Sequence, residues 1–345
     1  MNSPATAPRS SRWVYAPLVA IILLAIGWTA VWFYAASRAE DVVTAWIERE
    51  ARDGRTYSCD ERQVGGYPFR IEVRCTGLTA QFRDPSGPVI LKTKQLTAVA
   101  QIYQPDLIIA EATGPMSVNL PAADVDYVAE WRLLQASVRG RPRDLHRLSI
   151  VVDAPTVRVA QSDTPVARAA RLEAHVRRNT ESPVDKPVFD LAGRTAEAIV
   201  ALVPALAERP FNAEATGVLR GLHDFSARPF RQRLRDWQAQ DGRLDVTNFR
   251  LVQGDAIAVA KGEIGLSAQG RLDGRMNLTL AGLDDVIGPL LGNENGSRTR
   301  GLLSGLNLLS RAELEGKRAM ALPLIFRDGR VFLGPVPVAQ TGPLF

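Results

Sequence analysis

The sequence predicts a mainly β (α+β) protein, in which an antiparallel curved sheet or sheets with a few packing helices follow one N-terminal transmembrane helix. A single apolar segment without charges lies near the N-terminus. From residue 56 onward, apolar and polar residues alternate with a period of two between turn-forming residues, as in antiparallel strands. Hydrophobic residues make up 46% and charged residues 23% of the 345 positions, which excludes a disordered chain and a polytopic membrane protein.

The transmembrane helix is predicted over Val14–Tyr34, which holds 21 residues and no charge. A helix of this length spans about 31 Å, which matches a bilayer core of about 30 Å. Aromatic rings that favour the headgroup region flank it at Trp13, Tyr15, Trp32 and Tyr34. We therefore divide the chain into a cytoplasmic tail (1–13), an anchor (14–36) and an exported body (37–345). A cleaved signal peptide is the alternative, because small residues follow at 35–37.

The charges beside the apolar segment predict its orientation. Arg9 and Arg12 precede it without an acidic residue, whereas Glu40 and Asp41 follow Arg38. Positive charge favours the cytoplasmic side of a membrane. In a bacterium, this predicts a single-pass inner-membrane protein that contacts the membrane through residues 14–34 and places its C-terminal body in the periplasm.

The two cysteines predict a disulfide in that body. Cys59 and Cys75 flank the turn-forming residues Gly65-Gly66 and Tyr67-Pro68, so a turn there places the cysteines opposite each other on an antiparallel pair. An oxidising compartment would preserve the bond. Two buried free thiols, or metal or catalytic use of the thiols, are the alternatives.

The first part of the body is predicted as one helix followed by strands. Ser37–Asp53 continues the anchor as a helix, with Ala39, Val43, Trp46 and Ile47 on one stripe, and Gly54 ends it. Alternating patterns then predict strands over 69–73, Leu78–Arg83, Val89–Tyr103, Leu107–Thr113, Met116–Leu120, Val128–Val138, Leu145–Asp153, Thr156–Ala160 and Arg168–Arg177.

A less regular zone at 181–240 is an alternative subdivision of the body. It predicts a helix at Ala196–Glu208, a strand near Ala213–Leu222 and a basic helix at Phe230–Gln240. Residues 242–282 predict a meander of antiparallel strands joined at glycines. Helices are then predicted at Leu283–Leu291 and Thr299–Leu314, and a last hairpin at Ala319–Phe326 and Arg330–Leu333.

Some predicted strands are apolar on both faces, notably 107–110, 148–152 and 256–260. One interpretation is that they are central strands covered on both sides. The other is a sheet that curls around an apolar lipid groove, with candidate lining residues Ile108, Val151, Ile257 and Val259.

Arginine is the dominant basic residue, with 37 arginines and 5 lysines. Guanidinium groups suit phosphate contacts, and Arg231, Arg233 and Arg235 lie on a basic amphipathic stretch that could contact lipid headgroups. The alternative is codon usage in a GC-rich genome and a helix with one solvated face.

The chemistry-bearing motifs of common enzymes are absent from the sequence. The three histidines have no metal-ligand spacing, and no nucleophile elbow, phosphate-binding loop or dinucleotide fingerprint occurs. We therefore predict no catalytic residues, no metal and no cofactor. A net charge of +5 over 345 residues is too small to indicate a nucleic-acid partner.

Three motifs resemble one bacterial family. GGYPFRIEVRC at 65–75, NFRLVQGDAIAVAKGEIGLSAQGRLDGRMNLTLAGL at 248–283 and LIFRDGRVFLGPVPVA at 324–339 are similar to the alphaproteobacterial family known as domain of unknown function 2125 (DUF2125). The resemblance implies a cell-envelope protein and brings no activity or catalytic residues. The strand-turn-strand rhythm also resembles the AsmA-like envelope proteins, which are associated with lipid transport and outer-membrane assembly.

The resulting hypothesis is a noncatalytic, membrane-anchored periplasmic protein that binds phospholipid or an envelope-assembly partner. The first alternative is a structural subunit of an envelope complex that docks another envelope protein through a sheet edge and has no ligand of its own. The second is a hydrolase of envelope polymers.

Overall fold

The computed structural model describes residues 12–84, 87–183, 185–226, 228–282 and 312–345. The helix predicted at Leu283–Leu291 and most of the helix predicted at Thr299–Leu314 lie outside these residues. The last three residues of the second prediction, Ala312–Leu314, form a strand instead, because they pair with a neighbouring strand at 317–319.

The N-terminal helix α1 is continuous over Arg12–Arg52 and is long and apolar enough to cross a membrane. The side chains of residues 15–27 are exposed, whereas a stripe including Ala39, Val43 and Ile47 is half-buried against the sheet. The predicted continuation of the anchor as a packing helix is therefore confirmed.

All described strands belong to one antiparallel sheet, which confirms the predicted fold class. Their bounds are β1 Arg55–Ser58, β2 Glu61–Gly65, β3 Arg70–Asp84, β4 Gly87–Gln101, β5 Gln104–Leu120, β6 Val125–Glu130, β7 Leu133–Arg141, β8 Asp144–Asp153, β9 Thr156–Val159, β10 Pro165–Arg168, β11 Arg171–Arg178, β12 Phe189–Val200, β13 Phe211–Arg220, β14 Arg243–Gln253, β15 Ala256–Leu266, β16 Leu272–Ala281, β17 Ala312–Leu314, β18 Lys317–Arg327, β19 Arg330–Leu333 and β20 Val336–Gln340. The basic helix α2, Phe230–Ala239, connects β13 to β14 and confirms the helix predicted there.

The sheet is a meander in which each long strand pairs with the next one along the chain. Four of the long strands are split into two segments, β1/β2, β6/β7, β8/β9 and β10/β11. Pairing continues without interruption from β11 through β12 and β13 to β14, and then through β15 and β16 to β18. No large side chain of the described residues is fully buried, as expected for a sheet that is mostly a single layer.

A line of inserted residues, which we call the bulge line, crosses four of the long strands. Residues 112 and 116 of β5 are four positions apart, but their partners in β7 and β6 are Leu134 and Ala129, which are five apart. The one-residue shift falls at 131–132, and equivalent shifts fall at 154–155, 169–170 and 196–197. Such bulges bend a strand and increase its twist.

The helix predicted at Ala196–Glu208 is wrong. Residues 196–200 belong to β12, which pairs with β10 along one edge and with β13 along the other. A 3₁₀ turn at Pro204–Leu206 follows, and it is the only helical structure in this range. Strand pairing on both sides overrides the local helix propensity of the alanines.

A buried ion pair fixes the end of α1 to the first strand. Arg55 Nε lies 2.5 Å from Glu50 Oε2, and both side chains are buried. The hydrogen bond to Glu50 raises the pKa of the Arg55 guanidinium. Further along, Arg62 donates to Thr44 Oγ1 at 2.9 Å. Helix and sheet therefore form one unit.

The predicted disulfide is present between Cys59 and Cys75, with a Cα–Cα distance of 5.4 Å. Cys59 lies between β1 and β2, and Cys75 is buried in β3. The bond links the break between β1 and β2 to the continuous strand β3, so it holds the first two segments in register.

We expect replacement of both cysteines by alanine to lower the free energy of unfolding by about 3 kcal/mol, because the bond closes a loop with a sequence separation of 16. Urea denaturation of the detergent-solubilised chain measures this change. A reductant should bring the wild type to the midpoint of the variant and leave the variant unchanged. Equal midpoints for oxidised wild type and variant would contradict the prediction.

Candidate functional site

One row of apolar residues crosses twelve paired strands on a single face of the sheet. Because directly paired residues in antiparallel strands lie on the same face, the register defines the row without ambiguity. It consists of Val73, Ala98, Ala110, Ala136, Ile150, Ala174, Gly193, Ala215, Phe249, Ala260, Leu278 and Leu322. We call this the central row.

Two flanking rows lie on the same face, two positions to either side along most strands. The first is Ile71, Ala100, Ile108, Val138, Leu148, Val176, Leu191, Gly217, Val246, Gly262, Met276 and Leu324. The second is Cys75, Leu96, Ala112, Leu134, Val152, Leu172, Thr195, Ala213, Leu251, Ala258, Leu280 and Met320. The three rows contain one polar residue, Thr195, and together form what we call the apolar face.

The opposite face of the same strands is largely polar. One of its rows reads Arg74, Thr97, Glu111, Gln135, Val151, Glu173, Arg194, Glu214, Arg250, Val259, Thr279 and Ala321. Its charged side chains take part in ion pairs at the surface, such as Arg171 with Glu173 and Arg250 with Glu315. The apolar face is therefore a property of one side of the sheet, since the same strands are polar on the other.

The bulge line preserves the apolar face instead of reversing it. Residues 112 and 116 of β5 lie on the same face, and beyond the line Met116 belongs to another apolar row. That row is Met116, Ala129, Val157, Ala167 and Val200. Side chains five positions apart in a regular strand point to opposite faces, so the bulge is what keeps Ala129 on the same face as Leu134.

Part of the apolar face is covered and part is open. Helix α1 lies over its first edge, because Arg62, which pairs with Cys75 of the second flanking row, contacts Thr44 of the helix. Farther along, Ile108 is 43% and Leu172 is 40% exposed, although both lie on the apolar face. The middle of the face is thus accessible from solvent.

The segment 221–226, part of the connection from β13 to α2, covers the apolar face at one end of the strands. The ring of Phe225 packs at 4.9 Å on Phe189, and the Phe225 backbone N–H donates to the carbonyl oxygen of Pro142 at 2.8 Å. Phe189 and Leu145 are buried at this end. The segment therefore forms a local cover between the turn after β7 and the start of β12.

A cluster of charges holds this cover in place. Arg228 lies 2.7 Å from both Asp224 and Asp236, and Arg233 donates to the carbonyl oxygens of Asp224 and Ser226. Burial alone would raise the pKa of the Asp224 carboxyl, but the hydrogen bonds from Ser226 and the charge of Arg228 outweigh it and lower that pKa. Burial lowers the pKa of Arg233. The cluster folds the loop back onto α2.

The structure places only one of the four predicted groove residues on the apolar face. Ile108 belongs to the first flanking row, whereas Val151 and Val259 lie in the polar row and Ile257 pairs with Val252 and Ala281 on that same side. Side chains of adjacent strand residues point to opposite faces, so runs that are apolar at every position cannot show which residues line the groove. A groove on this side of the sheet would be lined by the three rows above.

The three arginines predicted to contact headgroups do not form one cationic surface. Arg231 and Arg235 are exposed, and the Arg235 guanidinium lies 5.6 Å from the centre of the Phe345 ring. Arg233 is half-buried and donates to backbone carbonyl groups. Its role in the structure is to hold the cover segment.

Among the described residues, no three His, Cys, Asp or Glu side chains are arranged to hold a metal ion.

Sequence reasoning missed the apolar face as a unit because each strand contributes only three of its residues. The alternation within each strand was the available signal, and strand register was the missing information.

We expect Asp224→Ala to loosen the cover segment by about 1–3 kcal/mol, because it removes the acceptor of Arg228 and of the Ser226 N–H. Amide hydrogen exchange at residues 222–226 measures the loss. Asp106→Ala is the matched control, since Asp106 and Arg139 form an exposed pair and contribute at most about 1 kcal/mol.

The same cover should respond to acid. Because the folded-state pKa of Asp224 is lowered, its contribution is present above the unfolded-state pKa and is lost as pH falls through the folded value. Exchange in the wild type should approach that of Asp224→Ala at low pH. Equal protection in both proteins at neutral pH would contradict this assignment.

Comparison with known proteins connects this architecture to one family. The family model described as "Uncharacterized protein conserved in bacteria (DUF2125)" matches residues 32–341. No curated protein and no solved structure matches the chain. The matched range includes the whole sheet and α1 from Trp32 onward. Because the match covers nearly all of the chain, the protein belongs to the DUF2125 family of bacterial proteins.

Proposed function

We propose that this protein is a noncatalytic lipid-binding protein, anchored by α1 in the bacterial inner membrane, that holds phospholipid acyl chains against the apolar face. The observation that carries the proposal is the continuity of three apolar rows over twelve strands. At a strand spacing of about 4.8 Å, twelve strands make this face about 50 Å wide. Typical soluble monomers expose apolar patches of only about 300–600 Å².

The shape of the apolar face favours a long aliphatic chain. Seven of the twelve central-row positions are alanine or glycine, whereas the flanking rows contain many leucine, isoleucine and valine residues. Small side chains between larger ones would leave a shallow trough across the strands. The large residues of the central row would interrupt this trough, at Val73, Ile150, Phe249, Leu278 and Leu322. The three rows carry no charge, so a polar headgroup would remain at the margin of the face, in water.

Charge and disulfide chemistry support the proposed anchor and compartment. Arg9 and Arg12 on the N-terminal side of the apolar segment support a cytoplasmic N-terminus and a periplasmic body. The disulfide between Cys59 and Cys75 supports an oxidising compartment. Both arguments are independent of the apolar face.

The edges of the sheet give less support to the alternative, in which another envelope protein docks through a sheet edge. At one end of the sheet, α1 packs along β1 and β2. At the other end, β20 has five residues and contains Pro337, which cannot donate a backbone hydrogen bond to an added strand. Neither edge therefore offers a long, free template for another strand.

We expect Ala136→Glu to reduce the phospholipid that copurifies with the full chain by several-fold, because a carboxylate in the central row must be desolvated against an acyl chain. Native mass spectrometry of the detergent-extracted protein measures bound lipid. Gln135→Glu is the matched control, since residue 135 is adjacent in β7 and lies on the polar face. It should retain lipid at the wild-type level.

Two results would contradict lipid binding. One is lipid-free wild-type protein that copurifies with a stoichiometric envelope protein, which would support the structural-subunit alternative. The other is an equal loss of lipid in both variants, which would show that the face does not matter. Circular dichroism and an intact disulfide confirm that the variants are folded.

We expect protease added to spheroplasts to digest the region after residue 38, while an epitope tag placed before Arg9 stays protected. Immunoblotting of the tag and of the C-terminal region reads out the two sides. After osmotic lysis, the N-terminal tag should also become accessible. Protection of the C-terminal region in intact spheroplasts would reverse the proposed orientation.

A further inference from the structure

We infer that the body makes a second contact with the membrane, through the turns that join β2 to β3 and β4 to β5. These turns present Tyr67, Phe69 and Tyr103, which we call the aromatic tip. The partner is the headgroup region of the outer leaflet of the membrane that α1 crosses. The inference rests on the proposed function in one respect, that α1 spans the membrane.

Hydrogen bonds connect the aromatic tip to the apolar part of α1. Trp28 Nε1 donates to the carbonyl oxygen of Pro68 at 2.8 Å, and Trp32 Nε1 donates to the carbonyl oxygen of Arg70 at 2.9 Å. The hydroxyl groups of Thr29 and Tyr67 lie 2.8 Å apart. The β2–β3 turn is thus held at the level of residues 28–32.

That level lies within the uncharged segment Val14–Tyr34. Trp28 precedes Tyr34 by six residues, which corresponds to about 9 Å along a helix. The tip therefore overlaps the C-terminal end of the apolar segment instead of standing clear of it. Because α1 continues as one helix to Arg52, no flexible linker lifts the body away from the bilayer.

The exposure of the three rings of the aromatic tip fits a position at the membrane interface. Tyr67 is 54%, Phe69 is 61% and Tyr103 is 68% exposed. Rings of this kind concentrate at the interface between headgroups and acyl chains, together with tryptophans such as Trp28 and Trp32. In water the same three rings would remain unfavourably hydrated.

The strands next to the aromatic tip carry apolar side chains on both faces. Ile108 lies on the apolar face, while Val99, Leu107 and Ile109 line a cavity of about 300 Å³ on the other face, together with Phe69, Tyr103, Arg70 and Gln101. One row farther from the tip, the second face becomes polar at Thr97 and Glu111. Contact with lipid on both sides accounts for the run Leu107–Ala110, which breaks strict alternation.

This placement joins the apolar face to the bilayer. The first flanking row, which contains Ile71 and Ile108, is the row of the apolar face that lies nearest the tip. An acyl chain could therefore move from the outer leaflet onto the sheet without crossing water.

Site-specific fluorescence in proteoliposomes of the full chain tests the inference. Phe69→Cys and Tyr103→Cys, each labelled with an environment-sensitive dye, should show blue-shifted emission and several-fold stronger quenching when the lipids carry brominated acyl chains. Leu202→Cys is the control, because Leu202 is 72% exposed in the turn at the opposite end of β12. The native cysteines are joined in a disulfide and do not react.

An alkaline carbonate wash separates the two ways in which the test can fail. If the protein stays with the vesicles while dyes at 69 and 103 behave like the dye at 202, the tip contact is overturned and the anchor stands. If the wash releases the protein, both the anchor and the tip contact are overturned. Quenching at 69 and 103, but not at 202, in wash-resistant protein supports the inference.

Discussion

Antiparallel pairing places directly opposed residues on the same face, and this constraint has to hold across twelve strands before a continuous apolar face can exist. A one-residue slip between any two strands would move the side chains of one strand to the opposite face. The described chain meets the constraint by connecting strands in sequence order, so each register is set locally by a turn. The disulfide between Cys59 and Cys75 adds a covalent constraint at the first edge, where β1 and β2 are too short to define their own register.

Coverage of the face is confined to its margins. Helix α1 lies over the first strands and the segment 221–226 closes one end of the middle strands, which leaves Ile108 and Leu172 accessible between them. The two covers differ in their chemistry. The buried Glu50–Arg55 pair makes the helix a permanent part of the sheet, whereas the Asp224 cluster is a set of partly exposed charges that can exchange partners with water. The second cover is therefore the more readily opened of the two.

Sequence reasoning could predict the features that depend on local pattern. The apolar segment, the helix that continues from it, the disulfide, α2 and the antiparallel class all follow from composition, spacing and turn residues within short windows. The residues of the apolar face did not follow, because Val151 and Val259 are indistinguishable from Ile150 and Ala260 until the partner strands are known. The helix predicted at Ala196–Glu208 was wrong for a related reason. Pairing of 196–200 with strands on both sides is a tertiary effect that no window of sequence contains.

The bulge line has a consequence for how this chain can vary in length. Deleting a single residue at 131–132, 154–155, 169–170 or 196–197 would leave an even spacing of four positions across the line, so regular alternation would keep the faces and only the added bend and twist would be lost. Deleting two residues there would leave three positions and turn the strand segment beyond the line inside out, with polar side chains against the apolar rows. Length variation among relatives should therefore be limited to the single inserted residue at the bulge line and be unrestricted in the turns.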